Sequence, residues 1–251
     1  MDWHRRYSRQ ASWTRELRRY LMERAQLDRA ARLLETGCGT GVILQDTAQW
    51  SEKSAGRKFA LHGLDIAAQA LKQSALHAPM AHLTRGNALS LPYADGVFDI
   101  TFCHFFLLWV RDPRGALDEM RRVTRPGGHV LVMAEPDYSE RVDRPVDLAI
   151  LGALQARSLK LQGADPTIGS HLAELLRQSG MQLVESGSMA QWLAPTLTDA
   201  DFESEWEVLR DDVQDMLPSA ELERLMQLDV QARRQGDRVL HVPTYFALAR
   251  V

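Results

Sequence analysis

"LLETGCGTGVILQDTAQW", residues 33–50, sets three glycines at alternate positions, Gly37, Gly39 and Gly41, directly behind an apolar run. A short apolar run, a bare bend and a mixed apolar-polar stretch read as strand, turn and helix. Glycine in such a bend lets a neighbour or a guest approach the main chain where a Cβ would stand. Spacing separates the possible guests. A phosphate cradle of the type G-x-x-x-x-G-K-[ST] is excluded, because no lysine follows the glycines. A dinucleotide fingerprint, G-x-G-x-x-G/A, wants a small residue where Val42 stands, so here the third glycine arrives one residue early.

Downstream, "FALHGLDI" reads as a second strand ending at Asp65. A carboxylate at that place reaches across the mouth of a parallel sheet and can accept hydrogen bonds from ribose hydroxyls. A nucleoside is indicated, and a bare phosphate is not. "AHLTRGNA" predicts a third strand leading into "GNALSLPYADGVFD", where Asn87 can pair with an adenine edge while the backbone at Ala88 and Leu89 lines the base.

The rest of the chain follows the same alternation. Residues 11–32 carry Trp13, Leu17, Tyr20, Leu21 and Ala25 at helical spacing and predict one amphipathic helix. Helices are expected in "GVILQDTAQW", in "AAQALKQSALHA" up to Pro79, and in "PRGALDEMRRVT" up to "RPGG". "VFDITFCHFFLLWV" and "HVLVMAEP" hold the fourth and fifth strands. Strands alternating with helices mean βαβ units and a parallel sheet with helices on both faces. Beyond Pro136 helices are expected in 144–166, 169–180 and the acidic stretch 198–235, with strands near "MQLVESGSMAQWL" and at the closing "TYFALARV".

"LLETGCGTG", "LHGLDI", "GNALSLPYADGVFDITFCHFFLLWV" and "RVTRPGGHVLVMAEPD", in that order and at normal spacing, resemble the signatures of class I S-adenosylmethionine-dependent methyltransferases, small-molecule branch. The resemblance covers about residues 33–137 and continues weakly through "GSHLAELLRQSGMQLVE". It implies an α/β, Rossmann-like, seven-stranded sheet of order 3-2-1-4-5-7-6 with the last strand antiparallel. It also implies an N-terminal helical lid (1–32), a cofactor-binding core (33–137) and a remainder (138–251) carrying a helical substrate cap at 141–163 and 198–235, all in a single globular domain.

Carried over by position, the resemblance implies S-adenosylmethionine as cofactor and S-adenosylhomocysteine as product. Gly37, Gly39 and Gly41 would pack against the methionine and ribose, and Glu35 would anchor the loop or the methionine ammonium. Asp65 would hold the ribose diol. Asn87 and Ala88 would bound the adenine, with Ile66, Gly86 and Leu89 beside them. Thr36, where an apolar residue is commoner, departs modestly from the pattern. His104 would sit near the sulfonium, either as a proton acceptor or in cofactor packing. Tyr7, Trp13 and Arg15 are expected to fold over the cofactor or to pack as a surface helix. Glu135, Asp137, Tyr138, Trp13 and Trp206 are the expected substrate contacts, and Trp192, Phe202, Trp206, Met216 and Tyr245 are expected to supply apolar walls. No metal site is expected. Methyl transfer from a sulfonium needs in-line positioning and exclusion of water, and a base only where the nucleophile must lose a proton.

Composition fits this reading. Of 251 residues 45% are hydrophobic and 25% charged, and the net charge of −3 offers no footprint for nucleic acid. The cysteines, Cys38 and Cys103, are too few for a disulfide framework, and the opening "MDWHRRYSRQ" has no apolar signal core. A cytoplasmic monomer or homodimer acting on a small molecule, away from nucleic acid and membrane, is expected. Charge is uneven: residues 1–32 hold nine Arg against four acids, and 199–230 hold eleven acids against two Arg. These are solvated helix faces, faces that pair with each other, or an acidic lid for a cationic acceptor. Two rivals share the motifs: a cofactor-binding module without catalysis, and an enzyme of the same fold using the bound sulfonium for decarboxylation or cyclisation.

Overall fold

The computed structural model describes residues 3–53, 59–189 and 198–251. The chain begins with two helices, α1 (Trp3–Trp13) and α2 (Arg15–Arg24). Strands and helices then alternate: β1 (Arg32–Thr36), α3 (Val42–Lys53), β2 (Ala60–Asp65), α4 (Ala68–His77), β3 (His82–Arg85), β4 (Phe98–Cys103), α5 (Pro113–Val123) and β5 (Thr124–Pro136). There follow β6 (Val142–Arg144), α6 (Ala149–Leu161), α7 (Leu172–Gln178), β7 (Gln182–Met189), α8 (Asp199–Val213), α9 (Ser219–Gln235), β8 (Val239–His241) and β9 (Thr244–Arg250).

Seven strands form one sheet in the order β3-β2-β1-β4-β5-β9-β7. Among the strands of that sheet β7 is sixth in the chain and β9 seventh, so the order is the expected 3-2-1-4-5-7-6. β1 pairs in parallel with β2 (Leu33 opposite Leu61) and with β4 (Leu33 opposite Ile100). β2 also pairs in parallel with β3, and β4 with β5. Leu33, Ile100, Phe102, Leu131 and Met133 from these strands meet Leu21 and Met22 of α2 and Ile43 and Leu44 of α3 in one buried cluster. Chain direction reverses its winding between β1 and β4, the place in such sheets where ligands bind at the carboxyl ends of the strands.

The chain divides into two compact units. The first holds residues 1–135, 171–187 and 245–251, hence nearly all of the seven-stranded sheet with its surrounding helices. The second holds 136–170 and 188–244. α7 and most of β7 and β9 thus belong to the first unit.

Three local features differ from expectation. Residues 11–32 do not make one helix: Thr14, at φ −101° and ψ 6°, separates α1 from α2, and Gln26 closes α2's end in the left-handed region. The Thr14 hydroxyl turns back on the Ala11 carbonyl at 3.3 Å, the local side-chain bonding by which threonine competes with helix. "RPGG" lies inside β5, in a register shift between the pairs Phe98–Thr124 and Ile100–His129, where the Asp99 carbonyl leaves no room for a side chain on Gly128. In the second unit β6 and β8 form an antiparallel pair that no alternation in the sequence announced. It is held by buried charge: Arg238 reaches Asp143 at 2.7 Å and Asp229 at 2.5 Å, and Arg141 reaches Asp143 at 2.7 Å. Trp206 donates its indole N–H to the same Asp229 at 2.9 Å.

Candidate functional site

The ends of β1, β2, β3 and β4 bring the expected cofactor residues to one edge of the sheet. After Thr36 the chain turns through Gly37 (φ +75°), Gly39 (φ +50°) and Gly41 (φ +83°) into α3, a path that an L side chain resists. The turn is pinned from beneath, for the N–H groups of Gly37 and Cys38 both donate to the Leu64 carbonyl, at 2.8 and 3.0 Å.

Each glycine has its own reason. A Cβ on Gly37 would lie 2.1 Å from the Phe106 ring, and one on Gly41 would lie 2.5 Å from Ser74 Oγ and 3.0 Å from Ser74 Cα in α4. Gly39 differs, since the nearest atom to its Cβ position is a Tyr7 ring carbon at 3.8 Å. Two glycines thus admit the protein's own side chains and backbone. Of the three, only Gly39 has room for a Cβ, with the Tyr7 ring at ordinary van der Waals distance.

Asp65 closes on that glycine. Its Oδ2 accepts the Gly39 N–H at 2.8 Å and its Oδ1 accepts the Ala67 N–H at 2.8 Å, each oxygen keeping acceptor capacity for a diol. Next to it Ile66 is 65% exposed, and Leu89 on the following loop is 38% exposed, two uncovered apolar surfaces on one rim. Asn87 folds its own loop, Oδ1 accepting the Leu89 N–H at 3.0 Å, while Ala88 is buried. Gly86 packs its Cα against Leu64, where a side chain would meet Leu64 Cδ1 at 2.8 Å.

Glu35 is buried at the end of β1. One carboxylate oxygen takes the Leu44 N–H from the first turn of α3; Oε2 has no hydrogen-bond partner among the described residues. Burial pushes this carboxyl well above its ordinary range, Arg18 opposes the rise, and Asp65 and Asp46 add to it. The fully buried Arg18 of α2 donates to the Ala11 carbonyl, to the Thr14 hydroxyl and to Asp46. Thr14 in turn lies 2.8 Å from Nε2 of His104. Burial first, and the Arg18 charge second, hold His104 well below the usual imidazole range, so it is neutral at pH 7. From α1, His4 reaches the Thr40 hydroxyl at 3.0 Å and Tyr7 stands over Gly39. Trp13 and Arg15, at the junction of the two helices, are exposed.

The expected substrate contacts fare differently. Glu135 is fully buried, and its carboxylate accepts the N–H groups of Phe106 and Leu107 at 2.8 Å each and of Leu108 at 3.2 Å. It serves the chain after β4. Asp137, also buried, caps a 3-10 turn by accepting from the Ser139 N–H and hydroxyl. Trp206, 3% exposed, packs with Leu148, Leu151, Val213 and Leu225 in the core of the second unit, with Phe202 beside it. All three give internal support, as a polar or aromatic residue behind a strand or on a lid helix can. Tyr138 is half-buried on the turn that Asp137 caps, Met216 and Tyr245 are half-buried, and Trp192 lies outside the described residues. Glu135's service to the loop was missed, and the signal was faint: a lone acid at the end of an otherwise apolar strand.

A bare-backbone bend, a carboxylate tied to it and an apolar rim fit an adenosyl group, and the unpartnered, buried Glu35 oxygen fits an ammonium beside it. The same edge is matched by a family model described as a methyltransferase domain over residues 34–132. The demethylmenaquinone methyltransferase of Renibacterium salmoninarum is 30% identical over 185 residues, covering 72% of this chain and 72% of that one. The chain belongs to the class I S-adenosylmethionine-dependent methyltransferases. Among other relatives of this methyltransferase family member, an O-methyltransferase of Aspergillus sclerotiorum is 32% identical over 61% of this chain and 55% of its own. In fold the chain resembles a candidate methyltransferase of Bacillus halodurans C-125 (TM-score 0.64, 16% identity, covering 92% of this chain and 96% of that one). It also resembles the [4+2]-cyclase SpnF (TM-score 0.57, 21% identity, 94% and 79%). No helix among the described residues is long and apolar enough to cross a membrane.

Proposed function

We propose that this chain transfers the methyl group of S-adenosylmethionine to an oxygen, nitrogen or carbon of a small organic acceptor. The observation that carries the reading is the contrast within the glycine turn: Gly37 and Gly41 are filled at close range from inside the protein, whereas Gly39, tied to Asp65, has only the Tyr7 ring at 3.8 Å over it. The names of the relatives, a demethylmenaquinone methyltransferase and an O-methyltransferase, support a small-molecule acceptor.

When bound, the cofactor supplies a methyl carbon activated by its sulfonium leaving group. The residues of the chain then position and exclude water. Asp65 would hold the ribose diol, the rim at Ile66, Asn87 and Leu89 would take the adenine, and the unpartnered Glu35 oxygen would receive the ammonium. Tyr7, over Gly39, would close the site to solvent. We assign His104 a hydrogen-bonding part: held neutral by burial and engaged at Nε2 by Thr14, it is a weak proton sink. Acceptor recognition falls to residues outside the cofactor edge, including the expected cap at 141–163 and 198–235. Some of that stretch's charge is paired locally, as in Asp229 with Arg233 and Arg238 and Glu221 with Arg224.

Incubation with methyl-labelled S-adenosylmethionine and a metabolite extract tests the proposal. A product heavier by one methyl group is expected. Cofactor binding without transfer would establish a binding module instead. A transformed product with no mass gain would establish chemistry of the kind SpnF's name records.

A further inference from the structure

We propose that Glu135 is a positioning residue: from beneath the sheet edge it fixes the segment His104–Leu108, and so sets the part of the cofactor site that meets the amino-acid end of the ligand. The inference rests on the cofactor reading above.

The segment is strained and held. Phe105 has φ +49°, a left-handed conformation that costs a bulky L residue about 1–2 kcal/mol and persists only where surroundings impose it. Its N–H is anchored to the Ala134 carbonyl at 3.0 Å. The next three N–H groups, of Phe106, Leu107 and Leu108, all converge on the Glu135 carboxylate. These are the donors that the following 3-10 turn, Leu107–Trp109, leaves unpaired at its start. One buried side chain thus satisfies a whole turn entrance. No cation figures in what the carboxylate meets, only burial and these three amides. Consecutive amides of this kind form a concave anion seat.

Two contacts carry this placement to the site. The Phe106 ring fills the space that Gly37 leaves, so the position of the segment fixes the floor of the glycine turn. On the other side of Phe105, His104 reaches Thr14 at 2.8 Å and ties α1 and α2 to the same edge. Asp65, Ile66 and Leu89 stand on other loops, and Asp65 meets the turn at Gly39, two residues beyond the position that Phe106 fills. The site therefore has an adenosine half built on β2 and β3, and an amino-acid half built on β1 and β4 that depends on this carboxylate.

The two halves can be read apart with two probes. Adenosine reports the first half, and S-adenosylhomocysteine reports both. In calorimetric titrations Glu135→Gln, which keeps the shape but turns an amide N–H toward the N–H donors, is expected to weaken S-adenosylhomocysteine about tenfold or more and adenosine less than twofold. Phe106→Ala, which removes the ring from Gly37 without touching a charge, is expected to give the same split. That variant decides the matter if the Gln protein does not fold. Equal losses for both probes, or unchanged affinity for S-adenosylhomocysteine, overturn the inference. Wild-type protein that binds neither probe overturns the cofactor reading, and this inference with it, before any variant is made.

Discussion

The ring of Phe106 stands where a side chain on Gly37 would have to grow, with Cδ2 2.1 Å from the Cβ position, while the same position on Gly39 has nothing nearer than Tyr7 at 3.8 Å. Alanine at the two sites should therefore fail in different ways. Gly37→Ala adds overpacking of roughly 1–3 kcal/mol to a left-handed penalty of about 1–2 kcal/mol, and denaturant unfolding should show the protein strongly destabilised. Gly39→Ala carries only the second cost, so the fold survives. Its methyl group, however, projects into the space assigned to the ligand, and S-adenosylhomocysteine affinity should fall by at least about tenfold, roughly 1.4 kcal/mol. Equal stabilities, or full affinity in Gly39→Ala, would contradict the division of labour.

Asp65 carries both the loop and the proposed ribose contact. Asn in its place can accept from only one of the Gly39 and Ala67 N–H groups without turning its NH2 toward the other. It also trades charge-assisted hydrogen bonds to a diol for neutral ones. Asp65→Asn should weaken adenosine and S-adenosylhomocysteine alike, by about 10- to 100-fold. A loss confined to S-adenosylhomocysteine would place the ribose elsewhere.

The cofactor edge was legible because its constraints are local and covalent in scale. The bend at Gly37–Gly41, the acid at the end of "LHGLDI" and the turn at Asn87 each announce themselves within a few residues, and strand-helix alternation leaves few ways to assemble them. What was illegible depends on partners distant in the chain. Nothing near Glu135 reveals that its oxygens will meet amides of residues 106–108. Nothing near Trp206 says that Asp229 will take its N–H. The break at Thr14 was hidden because the apolar spacing runs through it, and the hydroxyl that makes the break is answered by His104, far along the chain. The pairing of β6 with β8 was invisible for the same reason, being secured by Asp143 with Arg238 rather than by an apolar alternation.

His104 offers a test of how acidic its imidazolium is. Removing a general base costs about 10²–10⁴ in rate. Asn can keep a hydrogen bond to Thr14 but cannot take a proton. His104→Asn is expected to stay within about tenfold of wild type in initial methyl-transfer rate, and His104→Ala to fall further. The wild-type rate should show no limb near pH 6.5, because the folded imidazole is already neutral there. A loss beyond a hundredfold in the Asn variant, with a new pH dependence, would restore the base.

Glu135 and His104 pull stability in opposite directions with pH. Burial raises Glu135 to about 7, against three amides that lower it, so the folded state binds this proton more tightly than the unfolded chain does. Its contribution is complete below pH 4.5 and is lost as pH climbs through 7, by about 3 kcal/mol at 1.36 kcal/mol per unit. His104 is depressed, and its contribution, present above pH 6.5, is lost as pH falls. Glu135→Gln removes the first effect only. Between pH 5 and 8 the stability of the variant relative to wild type should rise by up to about 3 kcal/mol, measured by urea unfolding at each pH. A difference constant with pH would show that the three amides outweigh burial and that Glu135 is an ordinary carboxylate.

In the second unit, Arg238 is the cation between Asp143 and Asp229, all three buried. Removing Arg238 takes a cation from two buried carboxylates that keep other partners, Asp143 with Arg141 and Asp229 with Arg233 and Trp206, so the cost stays below the about 3–5 kcal/mol of a fully unpaired buried charge. Arg238→Met should therefore unfold the second unit at markedly lower denaturant concentration. Adding Asp143→Asn should recover part of that loss, because it removes one of the two anions that the first change leaves short of a cation. Arg141, which also holds Asp143 at 2.7 Å, limits the recovery, since it loses its own partner in the double variant. Losses that simply add would mean that the buried ions act independently, and that the β6–β8 pair is secured by its backbone alone.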